Sequence, residues 1–195
     1  TYTFVMPASD ATVEAVFQIR PAFTDVPSGS YYENAVLWAV GEGITMGISA
    51  QAFAPDGSCT RAQAVTFLWR AAGSPAPVSA KTRFADVAAS SYYSDAVLWA
   101  VENGITNGTS DTTFSPDAVC TRAQIVAFLW RAKGRPAAGS GSRFADVAET
   151  AYYADAVLWA VKEGVTLGTS VNAFSPDETC TRAQIVTFLW RTLAK

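Results

Sequence analysis

Arg61, Arg122 and Arg182 stand in the same string, Cys-Thr-Arg-Ala-Gln, which begins at Cys59, Cys120 and Cys180. Thr followed three residues later by Gln has the form of a capping box, so Thr60, Thr121 and Thr181 are expected to cap helices and each arginine to occupy the first helical position. A cation there faces the positive end of the helix dipole and several free backbone N–H groups, which costs about 0.3–1 kcal/mol. Two arrangements offset that cost. An anion from outside would be held by the N–H groups and by the planar guanidinium, whose paired donors suit a carboxylate. Alternatively, each arginine pairs with a neighbouring acid such as Asp56, Asp117 or Asp177 and pins the loop. Charge alone leaves both open.

Most other chemistry is disfavoured by composition. The 195 residues contain no histidine, which removes the usual general base and the commonest zinc ligand; no catalytic residue, metal site or cofactor is expected, and an enzyme is a distant reading. A formal charge of −3 argues against nucleic acid or an acidic membrane as partner. Half of the residues are hydrophobic, enough for a folded core, but they come in short clusters and none approaches the roughly 20 residues that cross a bilayer. The three cysteines cannot all pair within the chain and lack CxxC spacing, so they are expected to be small buried hydrophobes. A start at Thr1 without a secretion signal suggests a piece cut from a longer precursor.

The elements that must position the arginines repeat with them. Phe23-Thr24-Asp25-Val26 recurs as Phe84-Ala85-Asp86-Val87 and Phe144-Ala145-Asp146-Val147, a period of 61 and then 60 residues. Tyr31-Tyr32, Tyr92-Tyr93 and Tyr152-Tyr153 each open an Ala-Val-Leu-Trp-Ala-Val block that runs into Gly43-Ile44-Thr45, Gly104-Ile105-Thr106 or Gly164-Val165-Thr166. Phe53-Ala54-Pro55-Asp56 and its two counterparts then lead into the arginine helix. Each unit is thus helix, glycine-rich loop, helix. The spacing predicts a first helix over about Tyr31 to Glu42 and a second whose buried stripe holds Val65, Leu68, Trp69 and Ala72 and their equivalents. The linkers 71–83 and 132–143 are expected at the surface. Two helices in about 60 residues bury too little alone. Three such units could stack as an open solenoid, but with only three and no distinct polar capping repeats closure is favoured. The expected fold is mainly α, three helix-loop-helix repeats closing into a pseudo-threefold helical body with three similar grooves between neighbours.

The order Phe-x-Asp-Val, aromatic pair, Ala-Val helix, Gly-Ile-x-x-Gly, Phe-x-Pro-Asp and Thr-Arg-Ala-Gln resembles the S-layer homology domain of bacterial surface proteins, three times over from about residue 22 to the end. The units are placed at 21–79, 80–140 and 141–195. The resemblance implies an extracellular module at the bacterial cell surface, a monomer with internal pseudo-threefold symmetry. It would hold an exported protein non-covalently on a secondary wall polysaccharide attached to peptidoglycan. It also implies that Arg61, Arg122 and Arg182 help bind a pyruvylated sugar, whose ketal carries a carboxylate. The competing reading is a protein-interaction or lattice-assembly module with no glycan ligand.

Other positions are open between binding and structure. Tyr31, Tyr92 and Tyr152 fall where the family usually has Trp; they would stack on a sugar face or join the core. Asp25, Asp86 and Asp146 would accept from sugar hydroxyls, or, the favoured duty, cap the first helix. Gly47, Gly108 and Gly168 would let a sugar approach the backbone, or simply satisfy loop geometry. All three motifs end in Gln where the family typically has Glu, which leaves the arginine freer for an outside anion. The first repeat has Ile48 where the others have Thr109 and Thr169, so the groove using its loop is expected to be the weaker. Residues 1–20 alternate as strands around Ser9-Asp10 and resemble the truncated end of a small β-repeat module.

Overall fold

The computed structural model describes residue 5 and residues 23–139, 141 and 144–194; the strip read as a strand pair lies, apart from Val5, outside them. Six helices follow one another: α1 (Glu33–Gly41), α2 (Arg61–Ala71), α3 (Ser94–Glu102), α4 (Arg122–Ala132), α5 (Ala154–Lys162) and α6 (Arg182–Leu193).

The arginine helices start as their sequence dictates. Thr60 Oγ1 accepts from Gln63 N at 3.3 Å and Gln63 Oε1 from Thr60 N at 3.2 Å, and α4 and α6 carry the same reciprocal box. The first helix of each unit is shorter than its apolar pattern, because the tyrosine pair is spent in the preceding turn: Glu33 N donates to Ser30 O and no side chain caps the helix. The aspartates expected to cap it do something else. Both carboxylate oxygens of Asp25 are used across the loop, accepting from Phe53 N at 2.8 Å and Ala54 N at 2.7 Å, and Asp86 and Asp146 hold Phe114-Ser115 and Phe174-Ser175 in the same way. Burial pushes these carboxyls up, but the backbone N–H donors outweigh it and hold them below the usual carboxylate range.

Packing runs between units rather than within them. The arginine helices α2, α4 and α6 touch one another at the centre, while α3 lies on α2, α5 on α4 and α1 on α6. The two helices of one unit do not meet. The last contact, α1 on α6, closes the chain on itself, as the fold expected from the repeats requires. Beside the central helices the strands of chain form a ring: Cys59 N donates to Cys180 O, Cys120 N to Cys59 O and Cys180 N to Cys120 O, at 2.9–3.1 Å. Single antiparallel bridges join Ser58 to Thr181, Thr60 to Val119 and Thr121 to Thr179 around it. Phe53, Phe114 and Phe174 fill the space under each loop and are fully buried. Of the stripe expected on α2, Val65 and Leu68 are buried, Trp69 is half-buried and Ala72 lies past the helix end in solvent.

The loop glycines are fixed by their own phenylalanines. Gly108 has φ +87, and a Cβ there would stand 2.5 Å from both the Phe84 ring and Thr113 O; Gly29, at φ +81, has nothing within 4 Å. Gly108→Ala should therefore cost about 2–4 kcal/mol, from the left-handed backbone plus overpacking, and Gly29→Ala only about 1 kcal/mol. Denaturant unfolding of the two variants measures the difference. The cysteines are free and fully buried, and burial pushes the Cys120 and Cys180 thiols up to about 12 and Cys59 higher still. At pH 8 all three are thus protonated and shielded. Ellman's reagent should find no reactive thiol in the native protein and all three in guanidinium.

Candidate functional site

Each arginine side chain leaves its own unit and enters the loop of the next. Arg61 Nε donates to Phe114 O, Arg122 Nε to Phe174 O and Arg182 Nε to Phe53 O, all at 2.9 Å. The guanidinium lies over the ring of that same phenylalanine at 4.8–4.9 Å. A second ring, Phe128, Phe188 or Phe67, stands 5.5–5.6 Å away. The rings offer their negative faces to the cation. Burial lowers the three guanidinium pKa values from their ordinary range, yet arginine remains charged.

No acid completes these pairs. Asp56, Asp117 and Asp177, the partners suggested by sequence, make no ion pair with the arginines, and among the described residues no salt bridge to a carboxylate forms at any of the three. Arg61 Nη2 reaches Thr106 Oγ1 at a long 3.4 Å, while Nη2 of Arg122 and of Arg182 is buried without a partner. An unmet charged donor in the interior costs free energy. Exposure is small, 3 % for Arg61 and Arg122 and 5 % for Arg182.

The helix N–H groups, expected from the sequence to be free, are all taken. Arg61 N donates to Ala118 O and Ala62 N to Pro116 O, Arg122 N and Ala123 N go to Glu178 O and Pro176 O, and Arg182 N and Ala183 N go to Gly57 O and Pro55 O. The third N–H is held by the threonine cap. Sequence could not show this, because the carbonyls come from another repeat. Any anion here must be held by the guanidinium rather than by the helix start.

The surroundings of each arginine draw on all three units. The charge of Arg61 acts on Tyr152 and Asp86, that of Arg122 on Tyr31 and Asp146, and that of Arg182 on Tyr92 and Asp25. The first tyrosine of each pair faces outward, 59–61 % exposed, while the second packs against the core. Burial of the phenol raises the pKa of all three outward tyrosines, so each keeps its proton at neutral pH. The room beside Gly47, Gly108 and Gly168 is taken by the rings of Phe23, Phe84 and Phe144. Thr109 and Thr169 bond Ser115 and Ser175 at 2.7 Å, whereas the first loop offers Ile48 and Ala54 instead. That apolar loop belongs to the cleft of Arg182. Sequence reading missed a second arginine in each cleft: Arg70, Arg131 and Arg191 donate from the last turns of α2, α4 and α6 to Ile44 O, Ile105 O and Val165 O. Its signal was present in the thrice-repeated Leu-Trp-Arg.

The profile of the S-layer homology domain matches residues 22–65, 83–126 and 143–186. The chain is 32% identical over 167 residues to a surface-layer 125 kDa protein of Lysinibacillus sphaericus, an alignment that covers 84% of this chain and 14% of that protein. It is 25% identical over 199 residues to an S-layer protein of Bacillus thuringiensis subsp. finitimus, covering 98% and 23%. To a cell surface protein of Thermoanaerobacter kivui it is 31% identical over 122 residues, covering 60% and 16%. The chain thus spans less than a quarter of the length of these relatives. With three matches at the period of its own repeats, the chain belongs to the S-layer homology domain family, in three tandem copies, and is a cell-surface protein.

Proposed function

We propose that the chain anchors a longer exported protein non-covalently to the bacterial wall by binding a pyruvylated secondary wall polysaccharide, attached to peptidoglycan, in its three clefts. The observation that carries this reading is a guanidinium drawn into every cleft without a carboxylate to meet it, beside an outward tyrosine. The ketal carboxylate would meet Arg61, Arg122 or Arg182, and Tyr152, Tyr31 or Tyr92 would stack on the sugar. Several weak sites on one body facing a repetitive polymer raise the effective concentration of each later contact. The module acts as a monomer and catalyses nothing, its units being 21–79, 80–140 and 141–195, with 1–20 the tail of a preceding β-repeat module. One observation favours the rival, a protein-docking or lattice module: the arginines are nearly sealed and already hold a neighbour's carbonyl, as purely internal pins would.

Native walls should pull the chain down, and walls stripped of ketal pyruvate should lose most of that capacity. Equal capture by both would overturn the reading in favour of the rival. Single Arg→Ala variants, checked by melting curves because each leaves a buried carbonyl unpaired, should weaken binding unequally. Calorimetry is expected to show the smallest loss for Arg182→Ala, whose cleft carries Ile48 and Ala54; equal losses would refute the ranking.

A further inference from the structure

Three cations stand in a row along the loop that follows α3. Arg135 Nη2 donates to Gly104 O at 3.1 Å, Arg131 Nη1 to Ile105 O at 3.0 Å, and Arg61 Nη2 to Thr106 Oγ1 at 3.4 Å, one guanidinium on each of three consecutive residues. They arrive from three places: Arg61 from the start of α2, Arg131 from the last turn of α4 and Arg135 from the linker beyond it. None of them forms an ion pair among the described residues. Arg131 is half-buried, and burial first, then the charge of Arg135, lowers its pKa, so the two cations repel each other.

The row has no counterpart at the first linker. Arg135 is exposed and held at φ 56, a left-handed conformation uncommon for a long side chain; its counterpart in the first linker, Ser74, adopts φ 53 and carries no charge. Tyr152 stands within the field of both Arg131 and Arg61, and its ring is largely exposed. Each guanidinium keeps donors beyond the contact it makes here, and paired donors of this kind suit oxyanions.

We propose that the row is an elongated anion site in which Arg131 and Arg135 hold a second anionic group, a carboxylate or a phosphate, next to the one held at Arg61. If the polysaccharide is the ligand, as the anchoring reading on which this rests requires, that second group sits on the neighbouring sugar.

The test uses the full chain with tripolyphosphate and, separately, tricarballylate as probes, followed through the arginine Nε–Hε resonances. Saturable shifts at Arg131 and Arg135 are expected for at least one probe, and the tighter probe identifies the preferred group. Arg135→Ser, which the backbone at Ser74 shows to be tolerated, should weaken that probe roughly tenfold, the loss of one charge-assisted contact. Ser74→Arg should leave the row unchanged. Absence of saturable shifts with both probes, or unchanged affinity in Arg135→Ser, overturns the site. The polysaccharide arm separates the two claims. If Arg135→Ser binds pyruvylated wall polysaccharide as tightly as the parent while Arg122→Ala does not, the second subsite is wrong and anchoring stands. If the parent ignores the polysaccharide but still takes a small anion at Arg131 and Arg135, the anchoring reading fails and the anion site stands.

Discussion

The first N–H groups of three helices are claimed by carbonyls of another repeat, and the rest of the molecule follows from that exchange. A helix start leaves N–H donors that must be met somewhere. Here the cap meets one, and the segment ahead of another arginine helix meets two more, so that Pro116 and Ala118 serve α2, Pro176 and Glu178 serve α4, and Pro55 and Gly57 serve α6. Three helices treated this way must lie side by side with their starts at the same end. The ring of cysteine backbones and the central packing of α2, α4 and α6 are the geometric result.

The same exchange explains how an arginine is tolerated at a helix start. Carbonyl dipoles already cover the exposed N–H groups, and the side chain runs on into the neighbouring loop, where a carbonyl and two aromatic rings receive it. Cation–ring contacts of this kind contribute on the order of 0.5–2 kcal/mol each, comparable to the dipole repulsion they oppose. What they do not satisfy, in Arg122 and Arg182, is Nη2. These two buried atoms are left over, a donor capacity that the folded chain itself does not use.

Much of this was legible in the sequence because it is local or periodic. The capping boxes and the helix order follow from spacing, closure was the favoured of two ways to pack three similar units, and Cys59, Cys120 and Cys180 are buried as their isolation suggested. What escaped was non-local. Asp25 is spent on a loop 28 residues on, and a carboxylate shortly before a helix looks like a cap unless the returning loop is known. Likewise, a period states that units are equivalent but not that each first helix lies on the second helix of another unit. The clefts, assembled from three units at once, were therefore visible only as a general expectation of grooves.

That interleaving ties folding to recognition more tightly than the repeat pattern suggests. Since α1 and α2 do not touch, a single unit has no helix pair to bury and no core of its own. Arg182 needs the loop of the first unit and stands by the tyrosine of the second, so removing any unit dismantles every cleft rather than one in three. Arrays of stacked repeats lose stability and binding roughly by increments. A closed ring cannot, and the module either assembles every inter-unit site at once or has none of them.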